Sequence, residues 1–233
     1  MTTRLFSSLF LAMSGPLCFG CASAQFTTMT VFDSPAAFVR LEADSADPRY
    51  THPLSMTAEQ MAVVLNGIVV EEPWAKLPIY DDTSQPHRHP AFTEKEITLF
   101  SPLLAVALSK ATPEEVVTFY QSRYLSGTSR EVTSGGLFVQ GEELHIILAN
   151  YRSPTHYSAD IGVADTGDDR LTPMRSLAPQ RGRLEFEPPS VKREETVNGF
   201  ASMFRRDRRE LIVLYKLLTP RPLRQPPAAS TSP

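Results

Sequence analysis

His87-Arg88-His89 is the one place where this sequence sets two strong metal ligands close together. In an extended segment residues i and i+2 point to the same side, so both imidazoles would face one ion. A complete site needs a third or fourth ligand, and His52, His156 or a carboxylate would have to reach it from elsewhere in the chain. The same tripeptide, set between Pro86 and Pro90, also reads as a plain polar loop. His145 lies in the apolar run Leu144–Leu148 and is expected to be a half-buried sheet residue. Other chemistries lack their residues. There is no G-x-S-x-G elbow, no phosphate-binding loop and no glycine-rich dinucleotide fingerprint. No catalytic residue is assigned on these grounds, and no cofactor is expected.

Asp165-Thr166-Gly167 is the tripeptide that carries the catalytic Asp of aspartic proteases. Here it is followed by Asp168, where those enzymes have a small residue, and no second apolar-apolar-Gly element supports it downstream. A neighbouring carboxylate would also push the supposed catalytic Asp up without control. A hairpin turn is the expected reading, and the acidic run fails the spacing of a calcium loop.

The cysteines point to covalent attachment rather than catalysis. There are two, Cys18 and Cys21, and both precede the globular part of the chain. Arg4 supplies a positive start, Leu5–Met13 a short apolar stretch and Gly15-Pro16 a break, the layout of an export signal too short to span a bilayer. Gly20-Cys21-Ala22-Ser23 resembles the end of a bacterial lipoprotein signal, although Cys18 stands where an aliphatic residue is usual. The resemblance covers the signal alone. It implies removal of residues 1–20, lipidation of Cys21, and a tether to the periplasmic side of the outer membrane. The competing cut follows Ala22-Ser23-Ala24, removes residues 1–24 and leaves a soluble periplasmic protein. A Cys-free remainder favours lipidation and leaves no disulfide framework.

Charge gives a second candidate contact. The 233 residues carry a net charge of -3. From Pro173 onward, however, 12 Lys+Arg stand against 6 Asp+Glu, with the excess peaking at Arg205-Arg206-Asp207-Arg208-Arg209. Four arginines with two nearby carboxylates are not expected to be buried. Arg205, Arg206, Arg208 and Arg209 should project from one end of a sheet, as a solvated turn or as an electrostatic patch for an anionic surface. No aromatic residues interleave with them, so nucleic acid is not an expected partner.

The elements that must position these residues centre on 92–151. Thr93-Glu94-Lys95-Glu96 fits a capping box stapled by Phe92 and Ile97, opening a helix over 94–110 that Pro102 should bend or split. Thr112-Pro113-Glu114-Glu115 predicts another helix over 113–122, with Val116, Phe119 and Tyr120 as its buried stripe. Thr57-Ala58-Glu59-Gln60 predicts a helix over 58–67, with Gly67 at its C′ position and a short strand after it. Strands are expected over 137–140, 143–150, 183–187 and 210–217, the first two joined by a hairpin at Gly141. Thr27–Phe32 reads as a strand, Phe38–Glu42 as a strand or short helix, and Asn150–Tyr157 as a turn. Leu104 and Leu148 should be buried. The sum is a single α+β domain over 25–219, about three helices on a mostly antiparallel sheet, followed by a disordered Pro/Ala/Ser-rich tail over 220–233. The expected function is that of a non-catalytic cell-envelope lipoprotein, a binding or assembly-supporting module with an envelope protein as partner. The alternative is an envelope hydrolase or metal-dependent enzyme using His87 and His89.

Overall fold

The computed structural model describes residues 26–44, 49–72, 86–126, 129–156, 170–178, 180, 182–193 and 209–218. The export signal with Cys21, the tail over 220–233, Trp74, the strand expected at 159–164, Asp165-Thr166-Gly167, and Arg205, Arg206 and Arg208 lie outside them. In chain order the described elements are β1 (Thr27–Asp33), β2 (Ala37–Ala43), α1 (Ala58–Gly67), β3 (Ile68–Glu71), β4 (Arg88–Pro90), α2 (Glu94–Lys110), β5 (Glu115–Ser126), β6 (Ser129–Gln140), β7 (Glu143–His156), β8 (Arg183–Phe186) and β9 (Glu210–Leu214). Six strands form one sheet in the order β1-β2-β5-β6-β7-β9, and β4-β3-β8 form a smaller one. Every pairing is antiparallel. The architecture is therefore α+β, with two α-helices among the described residues rather than about three.

Both of these helices begin where their capping boxes place them. Thr57 Oγ1 accepts from the Gln60 N–H at 3.2 Å, and the Gln60 side chain accepts from the Thr57 N–H at 2.9 Å. Thr93 and Glu96 repeat the exchange at the head of α2. Orphan N–H groups of the first turn are thereby satisfied, and the helix start is fixed in register. Of the bend or split expected at Pro102, the split does not occur, since α2 is one helix over 17 residues. Pro102 and Thr98 are on its exposed side, so the carbonyl that lost its donor faces water. Gly67 is the last residue of α1 rather than a residue beyond it, and no left-handed backbone is required there. A Cβ at that position would lie 2.4 Å from the Phe186 ring, so the glycine is there for packing.

The helix expected over 113–122 is a strand. Its first hydrogen bonds match the prediction, with the Glu115 carboxylate accepting from the Thr112 N–H at 2.8 Å. The residues that follow, Val116-Val117-Thr118-Phe119-Tyr120, are β-branched or aromatic and suit a pleated surface buried on both sides. Val117 and Phe119 join the core beneath the helices, while Val116 and Tyr120 belong to clusters on the opposite face. Arg88–Pro90, expected to be loop, pairs with β3, and 150–156, expected to be a turn, continues β7. The strand expected over 183–187 is found, but in the smaller sheet, and that over 210–217 ends at Leu214 in a 3-10 turn. The hairpin at Gly141 forms as read, with φ of 64° at that glycine.

The main core lies between α1 and α2 on one side and β2, β5, β6, β7 and β9 on the other, with Ile68, Val70 and Phe186 of the smaller sheet completing it. Leu104 and Leu148 are buried within it, as expected. The opposite face of the large sheet is covered by the irregular segment 170–178, whose Met174 and Leu177 pack on Phe138 and Tyr120 clusters. A buried polar network pins that segment. Ser134 Oγ donates to Pro173 O at 2.8 Å, Asn150 Nδ2 donates to Arg175 O at 2.7 Å, and Asn150 Oδ1 accepts from the Leu177 N–H at 2.7 Å. Each polar atom finds a partner without water, which is what allows the network to sit inside.

Candidate functional site

Where β7 runs on past the end of β9, it meets β3 of the smaller sheet and the segment approaching β8. A cleft of about 110 Å³ opens at this junction. Val70, Glu72, Tyr151, Arg152, Gln180 and Arg209 are among the residues that line it. The bend of β7 that aims these residues is a bulge. Val132 pairs with Ser153 and Ser134 with Asn150, so Tyr151 and Arg152 together oppose Thr133. Arg152 takes φ of 44°, and its N–H donates to Thr133 Oγ1 at 3.3 Å. An extra residue of this kind re-aims side chains at a sheet margin. Here it turns Tyr151 toward β4 while keeping Ser153 buried.

Gln180 organises the base. Its Oε1 accepts from the Tyr151 N–H and from Arg209 Nη1, both at 3.1 Å. Its Nε2 donates to Ser153 Oγ at 2.7 Å and to Ala178 O at 2.9 Å. With four bonds made, the amide is held in one orientation. Arg209 Nε and Nη2 are shielded from solvent and have no acceptor among the described residues. Burial holds the guanidinium below its ordinary value, with Tyr151 and Glu72 acting in the other direction. Burial likewise pushes the Tyr151 phenol up, and Arg152 opposes that shift. Gly182 makes room for this arrangement: a Cβ there would lie 2.6 Å from Val70 Cγ1 and 3.4 Å from Arg209 Nη2.

Arg209 thus departs from the expectation for its run. It was expected to project into solvent with Arg205, Arg206 and Arg208, yet its side chain turns into the protein. The physical reason lies in its backbone, whose carbonyl accepts from the Leu148 N–H at 3.0 Å and so belongs to the sheet. The other three arginines lie outside the described residues.

His87 and His89 are both half-buried beside β3, and the His89 ring is held by two partners. His89 Nδ1 donates to Pro86 O at 2.9 Å, which leaves Nε2 to accept from the Tyr151 hydroxyl at 3.0 Å. Both ring nitrogens are engaged, and the imidazole serves to orient Tyr151. No three His, Cys, Asp or Glu side chains gather in a geometry for a metal ion among the described residues. His145 is buried rather than half-buried. It stacks on Phe138 at 4.5 Å between centroids, and its Nδ1 lies 2.6 Å from Glu210 Oε1.

Sequence reasoning missed Gln180, Gly182, Tyr151 and Ser153. They come from two separate stretches, and nothing in the spacing links one to the other. A bare signal did exist at Arg209, the one arginine of its run directly before the apolar strand.

Two further groups are notable for burial. Glu42 on β2 lies on the face covered by 170–178, and burial pushes its carboxyl up to about 7 despite Thr118 and Arg40 nearby. His52, in the connection from β2 to α1, has neither ring nitrogen hydrogen-bonded, and burial pushes it down to about 4 despite Glu115.

Comparison of the chain with protein-family models, with curated proteins and with solved structures finds no match in any of the three. No helix of the described residues is long and apolar enough to cross a membrane.

Proposed function

We propose that this protein is a non-catalytic binding module of the bacterial cell envelope, held by lipid at Cys21 on the periplasmic side of the outer membrane. The observation that supports the binding half is the state of the cleft. Gln180, Tyr151 and His89 are locked to one another and to the backbone, so the frame of the cleft is fixed before any partner arrives. A cleft fixed in this way suits recognition. His89, the histidine nearest the cleft, has its acceptor nitrogen occupied by Tyr151. The envelope half rests on the Gly20-Cys21 junction and on a chain with no other cysteine after it. An envelope protein remains the proposed partner, with the basic run over 205–209 as an electrostatic contact.

The localisation is checked by metabolic labelling with a fatty-acid analogue and by membrane fractionation. Wild-type protein should label and pellet with the outer membrane, and Cys21→Ser should do neither. A mature wild-type N-terminus at Gln25 would overturn the lipid anchor. The non-catalytic reading is checked with chromogenic ester, phosphoester and glycoside substrates. Turnover that disappears in His89→Ala would replace it with the hydrolase reading.

A further inference from the structure

We propose that the β1 edge of the large sheet is a membrane contact, with the Phe26 and Met29 side chains lying among the headgroups of the bilayer that holds the lipid on Cys21. This deepens the envelope reading above and rests on it, and it names the side of the domain that the anchor turns toward the lipid.

The argument begins with two apolar side chains that folding leaves in water. Phe26 is 80% exposed and Met29 is 42% exposed. Their backbone is nevertheless fixed. The Phe26 carbonyl accepts from the Ala43 N–H at 2.9 Å. Thr28 Oγ1 lies 3.2 Å from Leu41 O and donates to the Glu115 carboxylate. Thr27 pairs with Glu42 and Met29 with Leu41, so Thr28 is an extra residue in β1. That bulge shifts the alternation of the strand by one. Phe26 stands opposite Ala43 and Met29 opposite Leu41, two β2 positions of one face, so the two exposed side chains share that face. Leu41 belongs to the main core, which makes it the face that carries the helices. β1 is also the last strand of its sheet on this side.

Chain length selects the occupant. Phe26 follows Cys21 by five residues. Fully extended, five residues span at most about 17 Å, so a lipid on Cys21 keeps Phe26 within that distance of the headgroups. The β9 edge lies five strand spacings away across the same sheet, about 24 Å. A tether shorter than the sheet is wide turns the β1 edge to the bilayer. Charge sets the character of the contact. Arg49 and Lys110 stand at this end with Asp44, Glu114 and Glu115. Asp44 accepts from the Tyr50 hydroxyl at 2.7 Å, and Glu115 accepts from the Thr112 N–H at 2.8 Å. The described residues there carry no basic excess to seek anionic headgroups, so the contact is apolar. Two side chains do not hold a protein on a membrane by themselves. The anchor supplies the local concentration, and Phe26 and Met29 set the orientation.

The test uses the full-length protein, purified with its lipid and reconstituted into phosphatidylcholine vesicles, with acyl labelling of each preparation measured first. Phe26→Trp, Met29→Trp and Leu217→Trp are made one at a time and read in a Trp74→Phe background or by difference from the parent. Leu217 is 59% exposed just beyond β9 and reports on the far edge. On vesicles the emission of Phe26→Trp and Met29→Trp should shift to the blue and be quenched by bromine-labelled phosphatidylcholine. Leu217→Trp should show neither change. An apolar contact should give the same signals with phosphatidylglycerol added and at low and moderate salt. With acyl label present, unshifted and unquenched emission at both β1 positions, or quenching as strong at Leu217→Trp, overturns the membrane contact and leaves the anchor standing. A blue shift without quenching assigns the edge to a second copy or another protein and overturns it equally, as does quenching that needs the anionic lipid. A preparation with no acyl label overturns the anchor, and this proposal with it.

Discussion

Gly135→Ala should leave no stable folded protein, or one weakened by more than about 4 kcal/mol, a loss reserved for few kinds of substitution. Gly135 sits in the middle of β6, where β7 crosses over it. Ser134 pairs with Asn150 and Gly136 with Ile147, so the single residue between them faces Leu148 and Ala149. The β7 backbone arches at this bulge and comes down on the glycine. A Cβ on Gly135 would lie 1.9 Å from the Ile147 carbonyl oxygen and 3.2 Å from Leu148 Cα. Those atoms belong to the centre of the sheet and cannot swing aside as a side chain would. Two neighbouring glycines give the graded control. A Cβ on Gly136 meets the Met174 sulfur at 2.5 Å, a side chain that can shift, and backbone only at Val117 O, 3.1 Å away, so Gly136→Ala should cost clearly less than Gly135→Ala. Gly141 has open space around it and only its φ of 64° to protect, so Gly141→Ala should cost about 1 kcal/mol. Soluble yield and chemical denaturation of the three variants check the order. Equal stability of Gly135→Ala and the parent would mean that β6 and β7 do not pair in this register.

That bulge was not legible in the sequence, and neither was most of the length of the two strands it joins. The apolar ends, Leu137–Val139 and Leu144–Leu148, could be read because alternate residues bury on the main core. The remainder of β6, Ser129–Ser134, and of β7, Asn150–His156, is polar and carries a proline, so no period survives. Ser134 and Asn150 within these stretches are held by the segment 170–178, and a partner that arrives from 20 or more residues away leaves no trace in local pattern. By contrast, both capping boxes were readable because the hydrogen bonds that fix them span three residues. Thr112–Glu115 shows the limit of that logic. Its local bonds form as expected, yet the chain beyond them is a strand. Val116, Phe119 and Tyr120 satisfy a helical stripe and a pleated strand equally well, and a short apolar run cannot tell the two periods apart.

The candidate site was less legible still. Its one charged anchor, Arg209, was visible as part of a basic run, and the expectation that arginines stay outside followed from the cost of burying them. The structure reduces that cost with a bond from Gln180 and space at Gly182, two residues that carry no chemical signature of their own. His87 and His89 drew attention through their type, and His89 turned out to hold Tyr151. Spacing could not reveal this, because its partner is 62 residues away.

Glu42→Gln and His52→Phe should tilt the pH dependence of stability in opposite directions, each by about 3 kcal/mol. Burial raises the Glu42 carboxyl from 4.5 to about 7 in the folded protein. Between those values the folded state holds more protons than the unfolded one, so stability falls as pH rises. At 1.36 kcal/mol per pKa unit the loss amounts to about 3 kcal/mol, complete above pH 7. Burial lowers the His52 imidazole from 6.5 to about 4. Between these two values it is the unfolded state that binds the extra proton, so stability rises with pH, by a similar amount. The windows overlap from about 4.5 to 6.5, and there the two slopes cancel. The charged groups facing each site do not reverse this. Arg40, beside Glu42, is paired with Asp33 at 2.7 Å, and Glu115, beside His52, is already bonded by Thr28 and by the Thr112 N–H. Glu42→Gln should therefore match the parent near pH 4 and exceed it by about 3 kcal/mol at pH 8. His52→Phe, an apolar ring in place of one with two unbonded nitrogens, should do the reverse, gaining most near pH 4. Urea denaturation midpoints from pH 4 to pH 8 give both slopes, and the double variant should return to the parent's slope between about pH 4.5 and 6.5. If Glu42→Gln is no more stable than the parent at pH 8, the carboxylate is not buried as charge and the β2 register under 170–178 must be redrawn.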